Sequence, residues 1–498
     1  MRLFTFAKFG LIVAALSLFC FQPAIIRAED EQGTPTTEDA VPTPSRETPN
    51  FIENRAQSTT GGETPAPTAG ETPAPAPGET PAPAAGSTST HVTSRTQEIN
   101  EGGVSGTGVF SRLPFHLSAS LSAGYDDNVL TTRVPGSASL FVSPNAGINY
   151  KFADPRTNVT LQVNAGLTYY FDRSSLPTPT PPPFGTPAPT PSLQDYDVSV
   201  AMGLSVTHKA SARLTLSLTA NVSYQTEPDF SANVGNNRRT GNYFYSSDRL
   251  SALYQWLPRF STNTSYNLSV VRYDDTAFGT FLDRSEHTLG NEFRFLLWPM
   301  TTVIAEARVL FVTYDKASGL DSMTELLLAG FEHKFTPRFS VGLRGGAQFR
   351  SFDSGSDRTE PYFESTLNYA AGRRTTVSWF TRYALEEPSV SGSASVTTFR
   401  TGLQTKYEIA PRVSTTIGLF YVRDDYPAGP PVTIFPGFTI PGPPAFVENS
   451  VDVNLGLRYE VNRNFGIDVG YGHTEVTSGQ AAREYSRNRY FGGVNLTF

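Results

Sequence analysis

Covalent catalysis needs a nucleophile and a base on adjoining positions, and this sequence offers few of either. There are six histidines, His91, His116, His208, His287, His333 and His473, and a single cysteine, Cys20. The nearest thing to a catalytic pair is His116 with Ser118, two residues apart in a stretch that alternates like a β-strand, so that both share one face. No acid is specified nearby to orient the imidazole, and strand alternation generates such pairs by chance. The scattered histidines do not give the ligand spacing of a zinc site either. No enzyme chemistry, metal or cofactor is expected. Several Asn-x-Ser/Thr triplets, such as Asn158-Val159-Thr160 and Asn263-Thr264-Ser265, match a glycosylation pattern but fall inside strand-like runs, where polar-apolar-polar alternation produces them.

The remaining chemistry is ionic, and it too follows a period of two. From Phe115 onward, residues alternate between apolar and polar or small, the pattern of a strand with two unlike faces. In the run from Val159 to Tyr169, Val159, Leu161, Val163, Ala165, Leu167 and Tyr169 share one face, and Thr160, Gln162, Asn164, Gly166 and Thr168 the other. The same reading applies at Leu214 to Tyr224, Val303 to Phe311, Val451 to Tyr459 and Tyr490 to Phe498. On the polar faces stand Glu292 and Arg294, Glu306 and Arg308, Arg344 and Arg350, Arg382 with Glu386, Arg400 with Lys406, and Asp452 with Arg458 and Glu460. Both signs occur.

These runs last about 10 to 16 residues, whereas globular strands average about 5 to 6 and membrane-spanning ones need about 9 to 11 at a tilt. About 18 strands are counted (16 to 18), and the breaks between them alternate strictly between short and long. The short ones resemble one another: Asp154-Pro155-Arg156, Ala212-Arg213, Pro258-Arg259, Pro299-Met300, Pro337-Arg338, Gly372-Arg373-Arg374, Pro411-Arg412 and Asn462-Arg463. The long ones include Ser174 to Ser192, Pro228 to Thr240 and Tyr426 to Ala445. Propeller blades would need four short strands per period, where this chain has two long ones. The expected fold is all-β, a transmembrane antiparallel β-barrel of about 18 strands over residues 111–498.

Composition agrees. Of 498 residues, 12% are aromatic and 17% charged, and after the first residues there is no run of about 18 to 20 apolar residues able to cross a bilayer as a helix. Arg2 and Lys8 precede an apolar stretch from Phe9 to Phe21, and Ala28 supplies a small residue before Glu29, so residues 1–28 read as a signal peptide. Cys20 sits inside that stretch after Phe19, too bulky for a lipoprotein signal, so the mature chain carries no thiol. Residues 29–110 are rich in Pro, Thr, Glu and Ala, and repeat GETPAPTA, GETPAPAP and GETPAPAA from Gly62, Gly70 and Gly78. Such a segment buries too little apolar surface to offset chain entropy, and its prolines favour an extended spacer. A net charge of −7 and the absence of a basic block argue against nucleic acid as a partner.

The segment LSAGYDDNV, Leu121 to Val129, at the end of the first strand resembles the β-barrel porin 2 family, some members of which are encoded with exopolysaccharide secretion systems. The resemblance implies an outer-membrane barrel. The final FGGVNLTF, with Val494, Leu496 and Phe498 on one face, resembles the C-terminal signal read by the machinery that assembles such barrels.

The expectation is a passive, porin-like channel for small polar solutes, with a non-enzymatic barrel component of an exopolysaccharide export system as the alternative. The charged walls fit either a water-filled pore or a lumen narrowed by Arg–carboxylate bracing. An even strand number puts both termini in the periplasm. Partners are outer-membrane lipid and lipopolysaccharide, with the assembly machinery during biogenesis. Oligomeric state and the inward folding of any loop are left open. Acids end the strands that run outward, among them Asp126, Asp127, Asp274, Asp275, Asp424 and Asp425, and are read as an external acidic rim.

Overall fold

A computed structural model describes residues 115–133, 137–173, 194–230, 241–353, 356–390, 393–429, 432–435, 438–440 and 444–498. The expected signal peptide, the repeat arm and the Pro-rich segment from Ser174 to Ser192 lie outside the described residues.

Eighteen long strands pair in sequence order and close on themselves. They begin with β1 (Phe115–Asp126), β2 (Ser139–Ala153), β3 (Thr157–Tyr170), β4 (Tyr196–Lys209), β5 (Leu214–Gln225) and β6 (Tyr243–Leu257). Next come β7 (Phe260–Tyr273), β8 (Arg284–Trp298), β9 (Thr301–Tyr314), β10 (Ser322–Thr336), β11 (Phe339–Phe352) and β12 (Arg358–Ala371). The wall is completed by β13 (Thr375–Glu386), β14 (Val396–Ala410), β15 (Val413–Tyr426), β18 (Phe446–Glu460), β19 (Phe465–Ser478) and β20 (Tyr485–Thr497). The short pair β16 (Val432–Phe435) and β17 (Phe438–Ile440) forms a hairpin outside the wall, and the helix α1 (Thr276–Leu282) follows β7. Every barrel pair is antiparallel, and β1 pairs with β20 from Ser118↔Thr497 to Asp126↔Arg489. Closure leaves no sheet edge, the one way a β-structure satisfies its backbone groups in lipid.

All eight short breaks read from the sequence fall between strands at one end of the barrel, here the turn end; the long connections lie at the other, the loop end. Local chemistry explains the turns. Proline has no N–H to give the ladder, and just before Pro258, Pro299, Pro337 and Pro411 the register slips by one residue in a β-bulge. At Asp154 the carboxylate accepts from the N–H groups of Arg156 and Thr157, both at 2.7 Å, which holds its pKa below the usual carboxylate value. Gly372 takes φ +73° in the β12–β13 turn, a conformation a Cβ would penalise.

Alternation then sorts the side chains. The outward face shows Leu121, Leu140, Ile148, Leu250, Leu289, Leu327 and Leu455, with aromatics toward both ends. Phe152, Trp298, Trp379, Tyr407 and Tyr459 stand exposed toward the turn end and Tyr169 toward the loop end, while Tyr150 and Trp256 are half-buried. Trp298 is the extreme at 62% exposure. An apolar belt flanked by aromatics is the surface a bilayer solvates best. The opposite face is polar, ionic and largely buried, the inverse of a soluble protein.

Candidate lumen site

The inward faces of β8 to β14 bring most of the sequence-selected charges into one net. Arg344 on β11 lies at its centre, with Nη1 2.9 Å from Glu364 and Nη2 3.2 Å from Glu292. Its Nε is 3.4 Å from Glu306, and Nη2 is also 3.5 Å from Glu332. These four glutamates come from β12, β8, β9 and β10, so one guanidinium ties five strands. Arg308 forks onto Glu306 and approaches Glu364 at 3.6 Å, while Arg294 reaches Glu332 at 2.7 Å. Tyr362 donates to Glu364 at 2.5 Å. Arg344 is 2% exposed and Glu292 0%. Charges so far from water persist only when paired and hydrogen-bonded.

Nearer the loop end, Arg350 meets Glu387 at 2.8 Å, and Glu386 takes both Arg382 and Arg400, the latter at 2.7 Å. On the far side, Arg458 donates to Asn495 at 2.7 Å, with Asp468 3.8 Å away, while Asp452 accepts from Asn454 and from Thr474. All ten residues picked as lumen-lining thus sit on the inward face. Glu292, Glu306, Arg308 and Arg344 pair with one another, and the other six bond to further inward polar residues such as Glu332, Glu386 and Asn495.

A segment of chain enters the lumen. After β5, Glu227 is clamped by Arg487 of β20 at 2.5 Å and approached by Arg489 at 3.5 Å; both arginines also hold Asp126. Three residues further, the Phe230 carbonyl accepts from Arg400 of β14 at 2.6 Å, and the Phe230 ring packs with Phe380, Phe420 and Val422. β14 is nine strands from β5 in a ring of eighteen, the opposite wall. Residues 226–230 are therefore a strap across the interior. Strap and arginines fill the loop-end half together with inward aromatics: Phe141 packs on Tyr170, and Tyr243 and Tyr273 pack on Phe278 of α1. Toward the turn end, inward residues such as Lys334 and Glu408 are exposed and Ser217 is half-buried. Among the described residues, Arg–carboxylate pairs brace β8 to β14.

The acidic strand ends separate into two kinds. Asp126 and Asp424 point inward and are buried, the second accepting from Thr398 at 2.7 Å, and so form no part of a solvent-facing rim. The reason is parity: each falls on the lumen face of its strand. Asp425, one residue on, is half-buried and paired with the exposed Arg423 at 3.2 Å. Asp274 is exposed and accepts from Tyr224 at 2.6 Å, and Asp275 is half-buried beside it. Asp127 binds both the N–H and the side-chain amide of Asn488.

The motif that carried the family resemblance is a clasp. Gly124 makes room for the Phe141 ring, whose Cζ would lie 2.6 Å from an added Cβ. Asp126 and Asp127 bind β20. The Asn128 amide donates to Thr132 and Ser486 carbonyls, both at 2.8 Å, and its oxygen accepts from Ser137 at 2.7 Å. The strap and the inward aromatics were missed in the sequence. Their one legible signal was Tyr170, Tyr243 and Tyr273 standing on the polar parity.

His116 and Ser118 share the inward face of β1, whereas His208, His287, His333 and His473 face outward on four other strands and pair with hydroxyl or amide neighbours. Among the described residues, no group of three or more His, Cys, Asp or Glu side chains is placed to hold a metal ion.

An outward apolar belt around an ionic lumen defines a transmembrane β-barrel of the porin type, a protein of the outer membrane. The chain belongs to the family described as Putative beta-barrel porin 2, whose model matches residues 114–498. Among solved structures it is similar to the siderophore receptor PirA from Acinetobacter baumannii (8% identity, 77% of this chain and 80% of that one, TM-score 0.38). It is also similar to the outer membrane protein opdK from Pseudomonas aeruginosa (11% identity, 77% and 99% coverage, TM-score 0.38). A mutant of the ferric enterobactin receptor PfeA from the same organism gives 10% identity, 77% and 80% coverage and a TM-score of 0.39. No curated protein matches the chain significantly.

Proposed function

We propose that the barrel is a passive channel for small polar solutes, constricted at its loop end by the strap. The observation that carries this reading is the largely polar inner face of a closed eighteen-strand wall, a surface that suits water, while the outer face suits lipid. In this reading the turn end and both termini face the periplasm, the loop end faces outward, and residues 29–110 act as a periplasmic spacer. The acids that keep contact with solvent, Asp127, Asp274, Asp275 and Asp425, would form an outer rim that attracts cations or, through divalent ions, lipopolysaccharide phosphates. Planar-bilayer recording of the purified protein tests it: discrete conductance steps are expected, and a silent bilayer containing correctly folded barrel would overturn it.

The filled loop-end half favours one second reading, a non-conducting barrel that serves as the membrane component of a polysaccharide secretion apparatus. It requires silence to persist when the strap is released by Glu227→Gln and Arg400→Gln together.

A further inference from the structure

The lumen wall is chemically divided. On β1 to β5, away from the first and last three residues of each strand, the inward positions carry no charged side chain. Ser120, Asn145, Gln162, Asn164, Thr219 and Asn221 are typical of what stands there. The ionic net occupies β8 to β14 across the ring. The halves also differ in what their polar atoms are doing. Opposite, the guanidinium and carboxylate groups form ion pairs with each other, whereas on β1 to β5 the buried atoms without a hydrogen-bond partner include neutral amide atoms, Oδ1 of Asn145, Oδ1 of Asn149 and Nδ2 of Asn221. Glycines thin the same wall: a Cβ at Gly147 would lie 2.4 Å from Oδ1 of Asn164, and one at Gly203 would lie 3.5 Å from Oδ1 of Asn221, so the amides lean over recesses in the backbone.

Resting on the pore reading above, we propose that this neutral half is the track of the solute, and that the solute is a small uncharged polyhydroxyl compound of the sugar or polyol class. A hydroxyl both donates and accepts, which matches side-chain amides and Ser/Thr hydroxyls that do the same. A sugar sheds water onto such a wall and regains its hydrogen bonds there. An ion shedding water finds no countercharge along the middle of β1 to β5 and, on β8 to β14, charges already paired with one another. The ionic half then holds the wall in shape and the neutral half carries the traffic.

Liposome swelling with the full-length protein tests this, using arabinose and glucose against lysine and glutamate. The sugars are expected to enter severalfold faster than either amino acid. The pair Gln162→Glu and Asn221→Asp keeps shape and adds charge, and it should slow the sugars severalfold while speeding lysine; heat-modifiable mobility on gels confirms that the variant folds. Charged solutes entering as fast as sugars through a conducting wild-type barrel would overturn the proposal, as would a folded double variant with an unchanged ratio. Neither conductance nor swelling for any solute would instead remove the pore reading, and this inference with it.

Discussion

The guanidinium of Arg400 donates a 2.6 Å hydrogen bond to the carbonyl of Phe230, joining β14 to chain that leaves the barrel at β5, on the opposite wall. Arg400 also holds Glu386, so wall and strap share one cation. Replacing Arg400 and Glu227 by glutamine removes both anchors of the strap without adding bulk. The double variant should show severalfold larger single-channel conductance than wild type, with the same heat-modifiable band. Equal conductance would mean that the strap is not the constriction.

Arg344 lies within ion-pair distance of four carboxylates, Glu292, Glu306, Glu332 and Glu364. Arg344→Ala leaves buried carboxylates uncompensated, a loss of about 3 to 5 kcal/mol for a broken buried pair. Denaturant unfolding of the lipid-reconstituted barrel measures it. A loss below about 1 kcal/mol, the value of a solvated surface pair, would show that water reaches the net.

Gly402 faces inward between two rings, and an added Cβ would lie 2.3 Å from Phe380 and 2.8 Å from Phe420. Gly402→Ala should therefore cost about 1 to 3 kcal/mol through overpacking. Phe380→Leu made together with it should recover part of that loss, and a double-mutant cycle reads the coupling. Additive effects would mean that the rings move aside freely.

The outward belt is tested at Leu455, exposed near the middle of β18. Leu455→Arg should cost about 2 to 4 kcal/mol of insertion free energy, as cations on a lipid face do. Gln404→Arg, half-buried on the inward parity of β14, should cost far less. Equal losses would argue that lipid does not surround the barrel.

The acids at the loop end should separate by parity. Replacing Asp274, Asp275 and Asp425 by asparagine should reduce cation selectivity in reversal potentials under a potassium chloride gradient and leave folding intact. Asp126→Asn loosens Arg487 and Arg489 and should instead lower stability. Selectivity that follows Asp126 and ignores the other three would invert this assignment.

Much of this was legible because the wall is governed by a period of two. Strand runs, the eight turns, the outward belt and the inward charges all follow from alternation, which one residue of slippage would have inverted. Asp126 and Asp424 show where the reading stopped: position at a strand end suggested solvent, while parity, applied one residue further, would have put them inside. The strap was not legible, because Glu227 and Phe230 meet partners 260 and 170 residues away that no local pattern announces. The clasp lay in plain sight as a motif, but its chemistry needs β20 beside β1.

That clasp bears on how the barrel is made. Leu117 and Phe498 exchange backbone hydrogen bonds of 3.1 and 2.8 Å, and Asp126 meets Arg487, 361 residues further along the chain. Until β20 has been synthesised, β1 is an open edge with nothing to pair with, and every hairpin added in between only lengthens a ribbon. The seam is then the contact of longest sequence separation and falls at the slow extreme of folding, where chain entropy is spent before any closing bond returns it. A barrel of this design is held unfinished for most of its assembly, and its seam sets the clock.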